Sequence, residues 1–267
     1  MMDDARSAVV VNADDFGISA PVNDAVLGAF ERGWISSASL MANMPGFGQA
    51  CAMIREHALG GRIGIHLNLS EGHPLTSAIR DCARVCGPRG ELHMKPSTRF
   101  RLSGAETRAI EDELQAQIAA CLRAGVAPTH LDSHGHTHSQ WPVGTLVLRL
   151  ARHYGVPAVR LSRNCGPAPS IPKRLYKLAF NARLARAGVA RVRWFGSATD
   201  AAEPIARNQG PVEIMVHPAP GPQGVIVDST PGGGPLEAII RRLGIAGRMR
   251  SYGELCRTTV TEPGRNG

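Results

Sequence analysis

Short apolar runs alternate along this chain with longer segments in which apolar residues recur every three or four positions. Ala8–Val11 is an apolar run rich in valine, Arg62–Leu69 alternates strictly between apolar and polar or small residues, and Val212–His217 is apolar apart from Glu213 and His217. Runs of this length and period are typical of buried or half-buried strands. The pattern predicts about seven strands, over residues 8–11, 35–41, 62–69, 129–138, 156–161, 192–195 and 212–217.

Helical spacing fills most of the intervals between these strands. It predicts helices between Ser19 and Gly33, over about 47–58, 103–122 and 142–154, within 172–193, over about 235–247 and after Ser251. Strands that alternate with helices indicate βαβ units around a parallel sheet. Because no dinucleotide-binding glycine motif follows a strand, the α/β pattern favours a TIM-barrel-like (β/α) barrel, complete or incomplete, over a doubly wound sheet.

No linker divides the chain, so we expect one domain over residues 1–267. Residues 70–104 are rich in Gly, Pro and Arg and have weak periodicity, which predicts a variable loop or inserted lobe with substrate contacts. Residues 222–234 are expected to form a Gly/Pro loop.

Composition adds limits on class and compartment. The chain has 43% apolar residues but no run near the roughly 20 apolar residues of a membrane span. Its N-terminus has neither a basic start nor a cleavage site, so we expect a cytoplasmic protein. The six cysteines are scattered and are expected to be reduced packing residues, with a metal or redox pair at Cys82 and Cys86 as the alternative.

The net charge of +8 is concentrated in one segment, because residues 172–193 carry seven basic side chains and no acidic one. This basic segment is either an ordinary surface helix or a helix that contacts an anionic membrane surface or guides an anionic substrate. No aromatic RNA-stacking motif accompanies it, so nucleic acid is not an expected partner. The sequence leaves a homodimer open.

Histidines concentrate in Thr129–His138, which holds four of the ten in the chain. A solvated loop is one interpretation, but histidine is also the commonest metal ligand. Asp14 and Asp15, His66 and His217 stand at or near the ends of other predicted strands. Because the carboxyl ends of barrel strands share one face, these acids and imidazoles are expected to converge.

One carboxylate and two imidazoles would hold a divalent ion and leave a position for water. An extended backbone would put Asp132, His134 and His136 on one face, so the members that do not bind the ion would orient the ligands instead. Adjacent Asp14 and Asp15 would point in different directions, one towards the metal and one towards the proton transfers.

Four motifs together resemble the YdjC-like carbohydrate deacetylases, a family that includes the chitooligosaccharide deacetylases. They are Val-Asn-Ala-Asp-Asp-Phe-Gly (11–17), Gly-Ile-His-Leu (64–67), Thr-His-Leu-Asp-Ser-His-Gly-His-Thr-His (129–138) and Val-His-Pro-Ala (216–219). The resemblance implies a TIM-barrel-like fold and metal-dependent hydrolysis of an N-acetyl group on an amino sugar.

Position by position, the resemblance makes Asp15, His66 and His134 the ligands of one divalent metal ion, zinc or magnesium. Asp14 takes the place of the general base, and His217 stands where a histidine could act as the general acid.

Neighbouring residues receive supporting roles from their positions. Asp132 would orient an imidazole, and His136 would lie behind or beside the ligands. Arg160, near the end of a predicted strand, would hold a substrate anion or hydroxyl, or else form a surface salt bridge. Glu213 lies four residues before His217 on the same strand face, so it would pair with a basic residue inside the barrel or tune the site.

The expected substrate is an N-acetylated carbohydrate: an oligosaccharide, a polysaccharide precursor or a lipid-linked sugar. Residues 70–104 and 165–195 differ from the chitooligosaccharide enzymes, which leaves the substrate open. A non-catalytic metal- or glycan-binding protein is one alternative. A 2-His-1-carboxylate iron oxygenase is another, although such enzymes usually have antiparallel barrels.

Overall fold

The computed structural model describes residues 7–95 and 101–260, and its centre is a curled sheet of six parallel strands. The order across the sheet is β4-β3-β2-β1-β6-β5. The bounds are β1 Val9–Phe16, β2 Ser37–Leu40, β3 Ile63–Leu67, β4 Leu131–Ser133, β5 Trp194–Ser197 and β6 Val212–Val216. The apolar run of β1 is fully buried, as expected for a central strand of a parallel sheet with both faces covered.

Helices follow most of the strands, as the sequence pattern predicts, although the pattern did not predict the helix over Ala198–Ala206. Their bounds are α1 Ala20–Glu31, α2 Phe47–Glu56, α3 Gly104–Arg123, α4 Trp141–His153, α5 Ile171–Arg186, α6 Ala198–Ala206, α7 Leu236–Leu243 and α8 Tyr252–Val260. The start of α3 is fixed by a capping box in which Ser103 and Glu106 bond each other's backbone amides.

The two edge strands, β4 and β5, are linked by the segment 158–165. The backbone N–H of Leu131 donates to Ala158, and the N–H of Arg160 donates back to Leu131, both at 3.0 Å. Further along the segment, the N–H of Asn164 donates to the carbonyl of Phe195 at 3.1 Å. The predicted strand 156–161 is therefore reduced to one bridge with β4, and the predicted α/β fold of an incomplete barrel is confirmed.

Three local expectations differ from the structure. The segment predicted to be extended over 129–138 stops at Ser133, and a 3₁₀ turn follows over His134–Ser139. The predicted loop 222–234 contains part of an antiparallel hairpin between β7, Pro218–Pro220, and β8, Ile226–Asp228. The helix within 172–193 begins at Ile171 and ends at Arg186.

The lobe 70–104 is tied to the barrel by a buried carboxylate. Glu113 on α3 accepts hydrogen bonds from the backbone amides of Leu75 and Thr76 at 3.0 and 2.8 Å. Residues 96–100 of this lobe lie outside the described residues, as does the N-terminal stretch 1–6 used to predict the compartment. The expectation of one domain over 1–267 stays a prediction.

None of the helices in the described part of the chain is both long and apolar enough to cross a membrane. None of the six cysteines, all of which lie in the described part of the chain, forms a disulfide, and neither of the potential metal-binding groups found there includes Cys82 or Cys86.

Candidate metal centre and active site

Asp15, His66 and His134 bring one ligand atom each to a common point at the mouth of the barrel, with the three atoms within 4.8 Å of one another. Asp15 Oδ1 lies 2.8 Å from His134 Nδ1 and 3.2 Å from His66 Nε2. These residues come from the end of β1, from β3 and from the turn after β4. The geometry brings together the three predicted ligands; their role as ligands stays a prediction.

An irregularity in β1 explains how two adjacent acids both reach the site. The register between β1 and β2 shifts between Ala13 and Phe16, and Asp15 has a left-handed φ of 65°. A bulge of this kind turns a side chain that a regular strand would direct to the opposite face. Asp14 therefore lies inside the barrel, 1% exposed, while Asp15 lies at its mouth.

His66 is oriented from behind by Asp132. Its Nδ1 lies 2.8 Å from Asp132 Oδ1, and Ser39 Oγ donates to the other carboxylate oxygen at 2.9 Å. A proton on Nδ1 leaves Nε2 facing Asp15, which is the arrangement that a metal-binding imidazole needs. Burial disfavours the charged ring, but Asp132 and Asp14 outweigh it and raise the pKa of His66 to about 10. Binding of a metal ion must therefore displace a proton from His66.

His134 is placed by the turn that begins with it. Gly135 and His136 have φ values of 59° and 55°, in the left-handed region, so the chain reverses where the sequence pattern predicts an extended strand. The reversal leaves His134 Nε2 at 3.1 Å from Glu71 Oε2, on the 70–104 lobe. Burial opposes ionisation of Asp15, but hydrogen bonds from His134 and His66 outweigh it and lower the pKa of Asp15.

Arg160 occupies the interior of the barrel behind these ligands and is fully buried. It forms a two-pronged pair with Asp14 (Nη1–Oδ2 2.7 Å, Nη2–Oδ1 2.6 Å). It also contacts Asp132 Oδ2 at 2.7 Å and donates from Nε to Glu213 Oε1 at 2.8 Å. The expected surface salt bridge is excluded by this burial. The inward direction of Glu213 and its pairing with a basic residue inside the barrel are observed.

The pairing with Arg160 keeps Asp14 ionised. Burial alone would raise the pKa of Asp14, but Arg160 and the nearby His66 hold it well below its usual value. Asp14 Oδ1 also accepts a hydrogen bond from Asn12 Nδ2 at 2.9 Å, so Oδ2 has fewer close donors and faces His217 Nε2 at 4.0 Å.

A second group of acids and imidazole, Asp14, His66 and Asp132, also has the spacing of a metal site. Arg160 already pairs with both carboxylates of this group, Asp14 and Asp132, at hydrogen-bond distance. A cation would have to share this space with a buried guanidinium, which repels it. The donor set of Asp15, His66 and His134 is free of this conflict and fits a divalent ion with one carboxylate and two imidazoles.

His217 follows β6 and faces the two acids from the other side of the mouth. Its Nε2 lies 3.9 Å from Asp15 Oδ2, too far for a direct hydrogen bond but within reach of a bound molecule between them. Asp228 on the β7–β8 hairpin accepts the backbone N–H of His217 at 2.9 Å. The side-chain Nδ1 of His217 is buried without a hydrogen-bond partner among the described residues.

The other histidines of the cluster pack behind the site. His136 places its ring edge-on to Phe195 at 5.7 Å, and burial together with the charge of Arg160 lowers its pKa to about 4. His138 Nδ1 lies 2.6 Å from Ser133 Oγ, which already accepts the backbone N–H of His138. Ser133 Oγ therefore holds both the ring and the backbone of His138.

No role was assigned from the sequence to three polar residues of this network: Asn12, Ser39 and Tyr252. Tyr252 donates to Glu213 Oε2 at 2.5 Å, and Ser39 accepts from Asn12 at 3.1 Å. Asn12 lies on β1 and Ser39 lies on β2, and both side chains are fully buried. A buried polar residue within a core strand is the sequence signal that points to such a network.

Comparison with known proteins finds relatives that are named as deacetylases. A carbohydrate deacetylase of Halalkalibacterium halodurans is 33% identical over 212 residues, which cover 79% of this chain and 84% of that protein. A chitooligosaccharide deacetylase of Serratia marcescens is 37% identical over 156 residues, 58% of this chain and 59% of the relative.

Among solved structures, one from Enterococcus faecalis V583, named for a suggested role in cellobiose-phosphate cleavage, has a TM-score of 0.69 and covers 92% of this chain and 98% of its own. At 21% identity it shows the fold alone. The profile of the YdjC-like protein family matches residues 8–234, which include every predicted site residue. The predicted resemblance is confirmed, and this chain belongs to the family of YdjC-like proteins.

Proposed function

We propose that this protein is a metal-dependent carbohydrate deacetylase that removes the acetyl group from an N-acetylated amino sugar and releases acetate. The observation that carries the proposal is the convergence of Asp15, His66 and His134 on one point, with Asp14 and His217 beside it. The names of the relatives from Halalkalibacterium halodurans and Serratia marcescens support deacetylation of a carbohydrate.

In this proposal, a divalent ion held by Asp15, His66 and His134 supplies Lewis-acid chemistry and makes water a stronger acid. Asp14 accepts the proton of the attacking water at Oδ2, while Arg160 keeps the carboxylate ionised and fixed in direction. His217 Nε2 gives a proton to the departing amine. Asp132 holds the proton of His66 on Nδ1, away from the ligand position.

The donor set bears on the identity of the ion. Imidazole nitrogens suit zinc better than magnesium, which prefers oxygen ligands and keeps several waters. We therefore propose zinc as the better fit to Asp15, His66 and His134, with magnesium as the alternative that a metal titration tests. Displacement of a proton from His66 makes binding of either ion weaker as the pH falls.

Two alternative functions, an iron oxygenase and a non-catalytic binding protein, can be distinguished from a deacetylase. An iron oxygenase with two histidines and one carboxylate usually uses an antiparallel barrel, whereas all five strand pairs of the main sheet here are parallel. A metal- or glycan-binding protein without activity would bind the ion and release no acetate. Cytoplasmic location and a homodimer stay predictions.

The deciding experiment is an acetate-release screen over N-acetylated mono-, oligo- and lipid-linked sugars with zinc and with magnesium. Asp14→Asn is expected to lose acetate release while it still binds the metal ion, because Asp14 is outside the proposed ligand set. Asp112→Asn, on the exposed side of α3, is the matched control and should keep full activity. Absence of acetate release from every substrate by the intact, metal-loaded protein would leave only the binding function.

A further inference from the structure

The helix α5 has two apolar faces, and only one of them is covered. Phe180 and Leu184 are buried against the barrel, 1% exposed each. Ile171, Leu175 and Leu178 recur at helical spacing and are 75%, 61% and 56% exposed. Because 3.6 residues make one turn, Leu178 and Phe180 point in nearly opposite directions, so the second apolar stripe faces away from the core.

Basic side chains without acidic partners accompany the exposed stripe. Among residues 7–95 and 101–260, several lysine and arginine side chains form ion pairs with acidic residues. None of these ion pairs involves Lys173, Arg174, Lys177 or Arg186. Burial, followed by the neighbouring charges of Lys173 and Arg163, lowers the pKa of Lys177, and Asp200 opposes this shift. Arg183 differs, since it donates to Thr145 and lies over the ring of Trp141.

The exposed stripe lies at the active-site end of the barrel. In a (β/α) barrel the helices begin at the end where the parallel strands finish, so the first turns of α5 are near the site. Tyr176 on α5 donates from its hydroxyl to the carbonyl of Ser139 at 2.7 Å. Ser139 ends the turn that begins with His134, so α5 is joined directly to the segment that supplies a proposed ligand.

We propose that the N-terminal half of α5 docks the protein onto an anionic membrane surface. The exposed stripe of Ile171, Leu175 and Leu178 enters the boundary between headgroups and acyl chains, and the unpaired lysines and arginines contact the anionic headgroups. An exposed apolar stripe beside a cluster of basic residues is the pattern of interfacial helices. Docking brings the mouth of the site towards the membrane surface.

Charge argues against a second copy of the chain as the occupant of this face. Two copies of α5 packed through the exposed stripe would bring their lysines and arginines together, and the helix has no acidic residue to offset them. Like charges at an interface oppose association. Anionic lipid supplies the opposite charge together with an apolar phase.

The test is flotation of the metal-free protein with vesicles of phosphatidylcholine alone or with added phosphatidylglycerol. The wild type is expected to float only with the anionic vesicles, and to dissociate as salt is added. The double variant Arg174→Gln/Leu175→Ser is expected to bind the anionic vesicles more than about five-fold more weakly than the wild type. Removal of one positive charge alone would account for a loss of about five-fold. Leu122→Ser with Arg123→Gln, on the exposed end of α3, is the matched control and should bind like the wild type.

Several results would overturn the proposal. These are a wild type that stays in solution with both kinds of vesicle, an equal loss in the α5 and α3 variants, or a wild-type dimer that the α5 variant dissociates. Equal thermal midpoints of both variants exclude misfolding as the cause. Because no substrate is present and Asp14→Asn should float like the wild type, the outcome does not depend on the proposed deacetylation.

Discussion

Buried neutral histidines should make this protein sensitive to mild acid, and His138 offers the sharpest test. The residue is fully buried, and burial together with the charge of His136 lowers its pKa from 6.5 to about 3. The folded-state pKa lies below the unfolded one. The contribution of His138 to stability is therefore present above pH 6.5 and is lost as the pH falls towards 3.

The magnitude follows from the two pKa values. An unfolded histidine with a pKa of 6.5 gains its proton between pH 8 and pH 5, while the folded one stays neutral. At 1.36 kcal/mol per pKa unit, this difference lowers the free energy of unfolding by about 2 kcal/mol over that interval. His138→Asn removes the titration and keeps a side chain that can form a hydrogen bond with Ser133.

The assay is urea unfolding of wild type and His138→Asn, with a chelator present, at several pH values from 8 to 5. The difference in unfolding free energy between the two proteins should shift by about 2 kcal/mol in favour of the variant as the pH falls. Exposed His153 is the control, and His153→Asn should show no such shift. A difference that stays constant from pH 8 to 5 would refute the buried neutral state of His138.

Other perturbations test separate parts of the network. Burial raises the pKa of Glu213 to about 7, so the contribution of Glu213 to folding stability falls as the pH rises through 7. In urea unfolding, the free energy of unfolding of Glu213→Gln should therefore rise by about 2.5 kcal/mol relative to that of the wild type between pH 5 and pH 9. Zinc at 100 times its Kd should stabilise the wild type by about 2.7 kcal/mol in thermal unfolding. The Asp15→Asn variant should lose this stabilisation, although asparagine tolerates the left-handed backbone conformation of residue 15. Gly64→Ala should cost about 1–3 kcal/mol in urea unfolding, because its methyl group would overlap the ring of His130.

The order of strands and helices could be predicted from periodicity because it depends on local patterns. The residues 8–11, 62–69 and 212–217 all lie in or overlap strands of the main sheet. Local signals were weaker where backbone conformation departs from the regular pattern. The left-handed residues at Gly135 and His136 end the predicted extended segment early, and tertiary contacts outweigh the tendency of the flanking residues to continue it.

The motifs pointed to the three residues that converge, Asp15, His66 and His134, but not to the environment behind them. Arg160 carries no local sequence signal that separates a buried arginine from an exposed one. Its burial depends on Asp14, Asp132 and Glu213, which are up to 146 residues away in the chain. Only the curl of the sheet, with the 158–165 segment between its edges, brings these charges together.

The charge balance around Arg160 explains why the site needs this arrangement. One guanidinium faces three carboxylates, and desolvation of so many like charges would be unfavourable if each were ionised. The structure divides the charge: Asp14 and Asp132 keep lowered pKa values, whereas the pKa of Glu213 is raised to about 7. Glu213, bonded to Tyr252 on the far side from the metal centre, is thus the member that takes up a proton most readily. The ionised carboxylates of Asp14 and Asp132 remain next to His66. The proposed reaction requires both an ionised Asp14 and an oriented imidazole.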